Sequence, residues 1–170
     1  KIAEPFALRF IFSKGFSNPT TAEVRPSDNK IHKDLMAEHG WNTEAGFRMN
    51  ILNGRLSADA SIFHYYLHDG IISQTDYTGN TYFINSGKIR QLGVEYNSSF
   101  LLLPYKPGNR LFRKIQWKTS YTYARYKYRH YASGEKNYSG NSVAGIPRHV
   151  LINSFHFDFP KGIYCFIQHN

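Results

Sequence analysis

The chain has 170 residues, a formal net charge of +9 and one cysteine, Cys165. This length suffices for one folded domain, while a single cysteine forms neither an internal disulfide nor, by itself, a zinc site. Aromatic residues make up 16% of the chain and charged residues only 19%, which favours β-structure over a helical bundle. The positive charge fits nucleic acid, an anionic membrane surface or an anionic small ligand. No block of consecutive basic residues is present, so a disordered arm for nucleic acid is not expected.

A membrane-spanning helix is excluded by the same sequence. No stretch reaches the roughly 18 apolar residues that such a helix needs. The first ten residues, KIAEPFALRF, lack the pattern of a signal peptide. A membrane β-barrel stays possible, because its strands need only alternate apolar with polar residues.

Alternation of apolar and polar residues predicts seven extended segments. In chain order they cover residues 6–16, 41–52, 56–72, 82–102, 113–131, 148–159 and 163–170. In the fourth segment, for example, Leu92 and Val94 alternate with Gly93 and Glu95. Because successive side chains of a strand point to opposite faces, each segment has one apolar and one polar face.

Two local signals qualify this pattern. Asn53-Gly54 is the strongest short signal for a β-hairpin, since a type I′ turn needs φ > 0 at both central positions. The alternation of the third segment becomes irregular at Ile62-Phe63, where a β-bulge or an interfacial band of aromatic residues is expected.

The connections between the segments are alternately long and short. The long ones are residues 17–40, 74–81 and 132–145, and the short ones are residues 53–54, 104–109 and 160–162. In an up-and-down antiparallel sheet, alternate connections emerge on the same side, and long loops opposite tight turns are typical of outer-membrane barrels. The predicted fold is therefore all-β, an antiparallel up-and-down transmembrane β-barrel of which this chain forms a partial wall of about seven strands. The alternative is a soluble β-sandwich, which more often shows short strands with turns every 8–12 residues.

Five sequence motifs follow one another along the chain: SKGFSNPTTAEVRPS at residues 13–27, LMAEHGWNTEAGFR at 35–48, YFINSGKIRQLGVEY at 82–96, SYTYARYKY at 120–128 and NSVAGIPRHVLINSF at 141–155. In this order they resemble the TonB-dependent outer-membrane receptors. The segment NPTTAEVRPS is similar to the corresponding segment of iron-complex receptors of the ferric-citrate type rather than to that of glycan importers.

This resemblance implies a transporter in the bacterial outer membrane that captures a scarce ligand, commonly a ferric siderophore, with energy supplied through TonB. Such receptors are barrels of about 22 strands with a plugged lumen. Residues 1–170 are then expected to be a fragment near the C-terminal end of the barrel, without the plug, the remaining strands or the segment that engages TonB. The expected partners are an iron chelate, the TonB complex and outer-membrane lipid, with no nucleic acid. The alternatives are a passive porin or surface adhesin, or a soluble aromatic-rich domain that binds glycan or RNA.

Two sets of residues are candidates for ligand contact. Lumen-facing side chains are expected at Arg9, Glu44, Arg48, Asp59, Glu95 and Lys118, where a cationic interior would attract an anionic chelate or where ion pairs would stiffen the wall. Extracellular-loop contacts are expected at Arg25, Lys30, His32, Lys33, Tyr77, Tyr131, Lys136 and Tyr138. Function concentrates on loops held by a rigid wall, although the same residues also suit plain solvation.

Neither a metal site nor a catalytic site is expected. His64 and His68 are four residues apart, which places them on one face of a strand but about 13 Å apart, too far for one metal ion. No Gly-x-Ser-x-Gly motif accompanies the serine, histidine and aspartate residues. We therefore expect no cofactor and no enzyme activity.

Overall fold

The computed structural model describes residues 5–85, 87–133 and 136–170, and antiparallel β-strands dominate it. In chain order the elements are β1 (Phe6–Ser17), α1 (Thr21–Val24), β2 (Glu38–Ile51), β3 (Leu56–His68), β4 (Ile71–Thr75), β5 (Thr81–Asn85), β6 (Lys88–Leu103), β7 (Lys114–His130), β8 (Ala132–Ser133), β9 (Lys136–Asn137), β10 (His149–Asp158), a 3₁₀ turn (Pro160–Gly162) and β11 (Tyr164–His169). None of the helices in these ranges is long and apolar enough to cross a membrane.

Seven of the strands form one sheet in the order β1-β2-β3-β6-β7-β10-β11. Each neighbouring pair is antiparallel, while β4–β5 and β8–β9 are separate hairpins within two of the long connections. The prediction of a seven-stranded up-and-down wall is confirmed. The predicted fourth segment includes residue 86, and the predicted third long loop includes residues 134 and 135, which lie outside the described residues.

The register of the sheet assigns every strand residue to one of two faces. One row across the sheet joins Phe10, Ala45, Ile62, Val94 and Tyr123, and we call the face that carries this row the outer face. The next row joins Arg9, Gly46, Ser61, Glu95 and Thr122, and it lies on the inner face. The apolar and polar faces predicted from alternation are therefore the outer and inner faces of one continuous sheet.

Large apolar side chains on the outer face are uncovered. The side chains of Leu8, Phe10 and Phe12 in β1 are 75%, 81% and 69% exposed, although all three are large and apolar. A soluble sandwich would bury this row against a second sheet, and an apolar patch of this kind marks a surface that contacts lipid or another protein. The outer face thus has the character of a barrel wall that faces hydrocarbon.

Polar groups on the outer face find partners within the wall. The indole N–H of Trp117 and the hydroxyl of Thr119 both donate to the side-chain oxygen of Asn153, at 3.3 and 2.8 Å. These residues lie on the neighbouring strands β7 and β10. Such mutual satisfaction is what a lipid-facing surface requires, because hydrocarbon offers no hydrogen bonds.

The predicted hairpin at Asn53-Gly54 is present. Asn53 and Gly54 have φ values of 55° and 80°, and the N–H of Arg55 donates to the carbonyl oxygen of Leu52 at 3.1 Å. Leu52 also has a positive φ, of 56°. The turn therefore closes between the paired residues Ile51 and Leu56 and sets the register of β2 against β3.

The β-bulge, one of the two alternatives expected at Ile62-Phe63, is absent, and that alternative was wrong. Within the described strands, β3 pairs with both neighbours without a register shift, and the shifts of β6 against β7 fall between Lys88 and Ile89 and between Leu101 and Leu103. The alternation appears irregular because Phe63 is an apolar residue on the inner face. Its ring occupies the space above Gly93, which has no side chain.

Two predicted segments have different boundaries in the structure. The third segment ends at His68, and the chain then forms the β4–β5 hairpin, which sequence alternation assigned partly to a loop. The fourth segment is divided into β5 and β6. The positive φ values of Asp69 and Gly87, 54° and 81°, mark the two points at which the chain leaves and re-enters the main sheet.

Candidate functional site

A cluster of ion pairs lies on the inner face of β1, β2 and β3. The guanidinium of Arg9 is 2.8 Å from a Glu44 carboxylate oxygen and 3.4 Å from one of Asp59, while Arg48 Nε is 2.8 Å from Asp59. Arg9 lies opposite Gly46, and a Cβ atom there would be 2.9 Å from Arg9 Cζ. The glycine therefore gives the guanidinium room to bridge two carboxylates on neighbouring strands.

A groove of about 500 Å³ adjoins this cluster, towards the short-turn end of the wall. Its polar side chains come from Arg48, Asn50, Ser57, Asp59, Asn97, Ser99, Lys118, Ser120 and Ser154. Register brings the hydroxyl-bearing residues together, because Ser57 pairs with Ser99 and Lys118 pairs with both Ser99 and Ser154. The groove therefore offers hydroxyl groups, amides and the charged side chains of Arg48, Asp59 and Lys118 beside the apolar Ala58 and Ile152.

All six predicted lumen-facing residues lie on the inner face. Four of them, Arg9, Glu44, Arg48 and Asp59, form the ion-pair cluster. Glu95 is exposed between Ser61 and Thr122, and Lys118 lines the groove. The serines of the groove were not among the candidates, although repeated serine and asparagine on the polar faces of the third to fifth segments is a signal for them.

The first two long connections, at the opposite end of the wall, are joined to each other. The Asn85 side chain accepts a hydrogen bond from the Met36 N–H at 2.9 Å and donates one to the Met36 carbonyl at 3.0 Å. The hydroxyl of Ser27 accepts from the Thr81 N–H at 2.9 Å. Residues 18–37 are thus held against the β4–β5 hairpin.

The third long connection contacts the second through Tyr131. This buried ring lies between Tyr128 and Tyr138, with centroid distances of 4.8 and 5.3 Å, and its hydroxyl is hydrogen-bonded to the Gln74 side chain. Gln74 in turn accepts a hydrogen bond from the Tyr82 hydroxyl at 2.9 Å. The three long connections therefore form one linked layer at this end of the wall, which we call the loop layer.

The predicted loop contacts occupy different environments in this layer. Arg25, Lys30, Lys33 and Lys136 have exposed side chains, and Tyr77 is fully exposed. The other three pack within the layer: His32 contacts Asp28 and the Tyr82 ring, while Tyr131 and Tyr138 stack on each other. The accessible candidates are therefore mostly cationic.

Two acidic side chains of the first long connection are engaged within that connection. Glu23 accepts from the Thr20 N–H at 2.6 Å in a capping box at the start of α1. Asp28 accepts from the Lys30 N–H at 3.0 Å and lies 2.7 Å from His32 Nε2. Burial raises the pKa of Asp28, but these two hydrogen bonds outweigh it and hold the pKa below its ordinary value.

The histidine and acidic side chains of the described ranges are dispersed. No group of three or more histidine, cysteine, aspartate or glutamate side chains there is arranged to hold a metal ion. His64 and His68 both lie on the outer face, and His68 stacks on His39 with a centroid distance of 5.0 Å.

One sheet with an uncovered apolar face, a polar inner face and long loops at one end defines a wall of a membrane β-barrel. The chain belongs to the family described as TonB dependent receptor-like, beta-barrel, which matches residues 1–164. It is accordingly part of a receptor barrel in the outer membrane of Gram-negative bacteria, and the alternative of a soluble glycan- or RNA-binding domain is wrong. A comparison with curated proteins finds no match.

Solved structures share this fold at low sequence identity. FpvA of Pseudomonas aeruginosa, in complex with a heterologous pyoverdine, is 16% identical with a TM-score of 0.59, over 99% of this chain and 24% of its own. FauA, the alcaligin outer-membrane receptor of Bordetella pertussis, is 17% identical with a TM-score of 0.55, over 94% of this chain and 25% of its own. FrpB, an iron transporter of Neisseria meningitidis, is 14% identical with a TM-score of 0.56, over 95% and 23%. This chain thus spans about a quarter of the length of these proteins.

Proposed function

We propose that this chain supplies part of the wall and part of the ligand-binding loops of a receptor that imports an iron chelate. The observation that carries the proposal is the linked loop layer above a polar inner face: a layer held by Asn85 and Tyr131 can present fixed side chains to a ligand. Energy would come through TonB, as the family implies, by a segment outside this chain. We propose transport without a catalytic step.

Exposed cations in the first long connection support an anionic chelate as the ligand. Glu23 and Asp28 are engaged in local hydrogen bonds, while Arg25, Lys30 and Lys33 are exposed and have no ion pair within the described residues. These three side chains can therefore contact a ligand directly, although residues 17–40 contain four acidic residues beside the three cations. Hydrogen bonds between a cation and a carboxylate are stronger than neutral ones, and arginine donates fork-like pairs of them.

The structural neighbours support iron as the cargo. FpvA and FauA are described as receptors for pyoverdine and alcaligin, and FrpB as an iron transporter. The motif NPTTAEVRPS is the sequence feature that favours a carboxylate chelate of the ferric-citrate type within this class. We propose that class as the first ligand to test.

The test uses the full-length receptor that contains this chain. Equilibrium binding to ferric citrate and to a panel of catecholate and hydroxamate chelates identifies the ligand class, and uptake of ⁵⁵Fe in cells with and without TonB tests energy coupling. The double variant Arg25→Gln/Lys33→Gln is expected to weaken binding of the preferred chelate about tenfold or more, through loss of two charge-assisted contacts.

A matched control removes the same charges at the other end of the wall. Lys106→Gln/Arg110→Gln lies in the short connection between β6 and β7, where both side chains are exposed, and is expected to bind as wild type. Equal weakening by both double variants would contradict a ligand contact in the loop layer. Iron uptake that persists without TonB would instead favour a passive pore.

A further inference from the structure

The outer face carries a cluster of four cations near the loop layer. Lys88 and Arg90 of β6 lie beside Arg125 and Lys127 of β7, and Arg90 is directly opposite Lys127 in the register. All four belong to the face that carries Val94 and Tyr123. We call this group the basic patch. It is separate from the inner face and the loops that the proposed function uses.

The basic patch lies where the apolar surface of the wall ends. Along the outer face of β7, the order from the short-turn end is Ile115, Trp117, Thr119, Tyr121, Tyr123, Arg125 and Lys127. From Ile115 to Arg125 is ten residues, which at about 3.4 Å each and a tilt of about 40° rise about 26 Å. The apolar band of outer-membrane barrels is about 25 Å tall. Arg125 and Lys127 therefore reach the headgroup layer, just beyond the interfacial tyrosines.

Charge neutralisation within the patch is incomplete. None of the four cations has an ion pair among the described residues. The Nε atom of Arg90 is buried and has no hydrogen-bond partner in those residues. Like charges directly opposite each other destabilise an antiparallel pair, so the pairing of Arg90 with Lys127 in the register favours an anion between them.

We propose that the basic patch binds the phosphate groups of outer-leaflet lipid. The partner must be an anion that is held at the membrane surface, since the patch faces outward at the edge of the apolar band. A phosphate fits the paired N–H groups of an arginine and the point charge of a lysine. An inner-leaflet lipid is excluded by position, because the patch lies at the end of the wall with the long loops, which is the extracellular end in such barrels.

Lipid binding to the purified full-length receptor tests this proposal. The receptor in neutral detergent is titrated with diphosphoryl lipid A, and native mass spectrometry measures the bound fraction. Arg90→Gln/Lys127→Gln is expected to weaken binding about 25-fold, at about fivefold for each cation near an anionic surface. Lys106→Gln/Arg110→Gln removes the same charges from the short connection and is expected to bind as wild type.

Two further comparisons keep the result decisive if the double variant folds poorly. Wild-type receptor is expected to prefer diphosphoryl lipid A to the same lipid with its phosphates removed, and Arg125→Gln at the exposed edge of the patch is expected to bind about fivefold more weakly than wild type. Absence of a phosphate preference would overturn the proposal, as would equal weakening in both double variants. Displacement of the lipid by inorganic phosphate at low millimolar concentration would show a site for a free anion instead.

Discussion

Phe63 lies directly opposite Gly93 across β3 and β6, and its ring fills the space that a Cβ atom at Gly93 would need. An added Cβ would be 2.6 Å from Phe63 Cε1 and 2.9 Å from the carbonyl oxygen of Tyr123. The inner face of the wall is therefore packed closely at this point, from three neighbouring strands. A glycine in this strand admits the aromatic ring of the adjacent strand.

We expect Gly93→Ala to destabilise the full-length receptor by about 1–3 kcal/mol, the usual cost of an added group in a packed region. Urea-dependent folding into lipid vesicles measures the change. Gly15→Ala is the control, because no atom lies within 4 Å of its Cβ position. Phe63→Leu in the Gly93→Ala background is expected to recover part of the loss. Equal stabilities of the two alanine variants would contradict this account of the glycine.

The ion-pair cluster makes a second prediction about the inner face. Arg9 bridges Glu44 and Asp59 and its side chain is 35% exposed, whereas Arg48 contacts only Asp59 and is 68% exposed. Arg9→Gln is therefore expected to lower the free energy of unfolding more than Arg48→Gln, which should cost about 1 kcal/mol or less as an exposed pair. The same folding assay ranks the two variants.

Lys118→Gln is the control for this ranking, because Lys118 lies on the same face without an ion pair in the described part of the chain. Arg9→Lys tests the geometry, since a lysine keeps the charge but lacks the fork of donors that spans two carboxylates. A lysine variant as stable as wild type would show that charge alone accounts for the contribution of Arg9.

The faces and the order of the main strands followed from the sequence because both depend on simple rules. Side chains alternate with a period of two, so the parity of Val94 and Glu95 fixes which one faces outward. The turn at Asn53-Gly54 then sets the register of one hairpin, and short connections place the neighbours. The apolar face was then assigned to lipid, and the polar face to the lumen, because apolar side chains are stable in hydrocarbon.

The structure within the long connections did not follow from alternation. The strands of the β4–β5 hairpin are short, and local hydrogen bonds between Asp76 and Thr78 form its turn. A polar sequence of this kind predicts only a loop. Thr20 and Glu23 form a capping box, a pair that the sequence shows and that predicts the start of α1. The burial of Tyr131 depends on contacts with distant residues such as Gln74, which composition cannot indicate.

A charge placed on the outer face tests the membrane orientation of the wall. Val94 lies on the outer face and Asn97 lines the inner groove, although both belong to β6. Val94→Arg is expected to impair insertion, at a cost of about 2–4 kcal/mol near the bilayer midplane, while Asn97→Arg is expected to insert normally. The fraction of receptor that resists urea extraction from outer membranes gives the measurement. Similar extraction of the two variants would contradict the assignment of the faces.

The contact between Asp28 and His32 makes the first long connection sensitive to acid. The folded-state pKa of Asp28 is below its ordinary value of about 3.9. The ionised carboxylate therefore contributes stability above about pH 4, and this contribution is lost as the pH falls through the folded-state pKa. Hydrogen exchange across residues 26–33 of the full-length receptor, corrected for intrinsic rates, is expected to show protection at neutral pH that decreases in acid. Asp28→Ala should lack this protection at every pH, and Asp34→Ala, at an exposed position, should retain the wild-type profile.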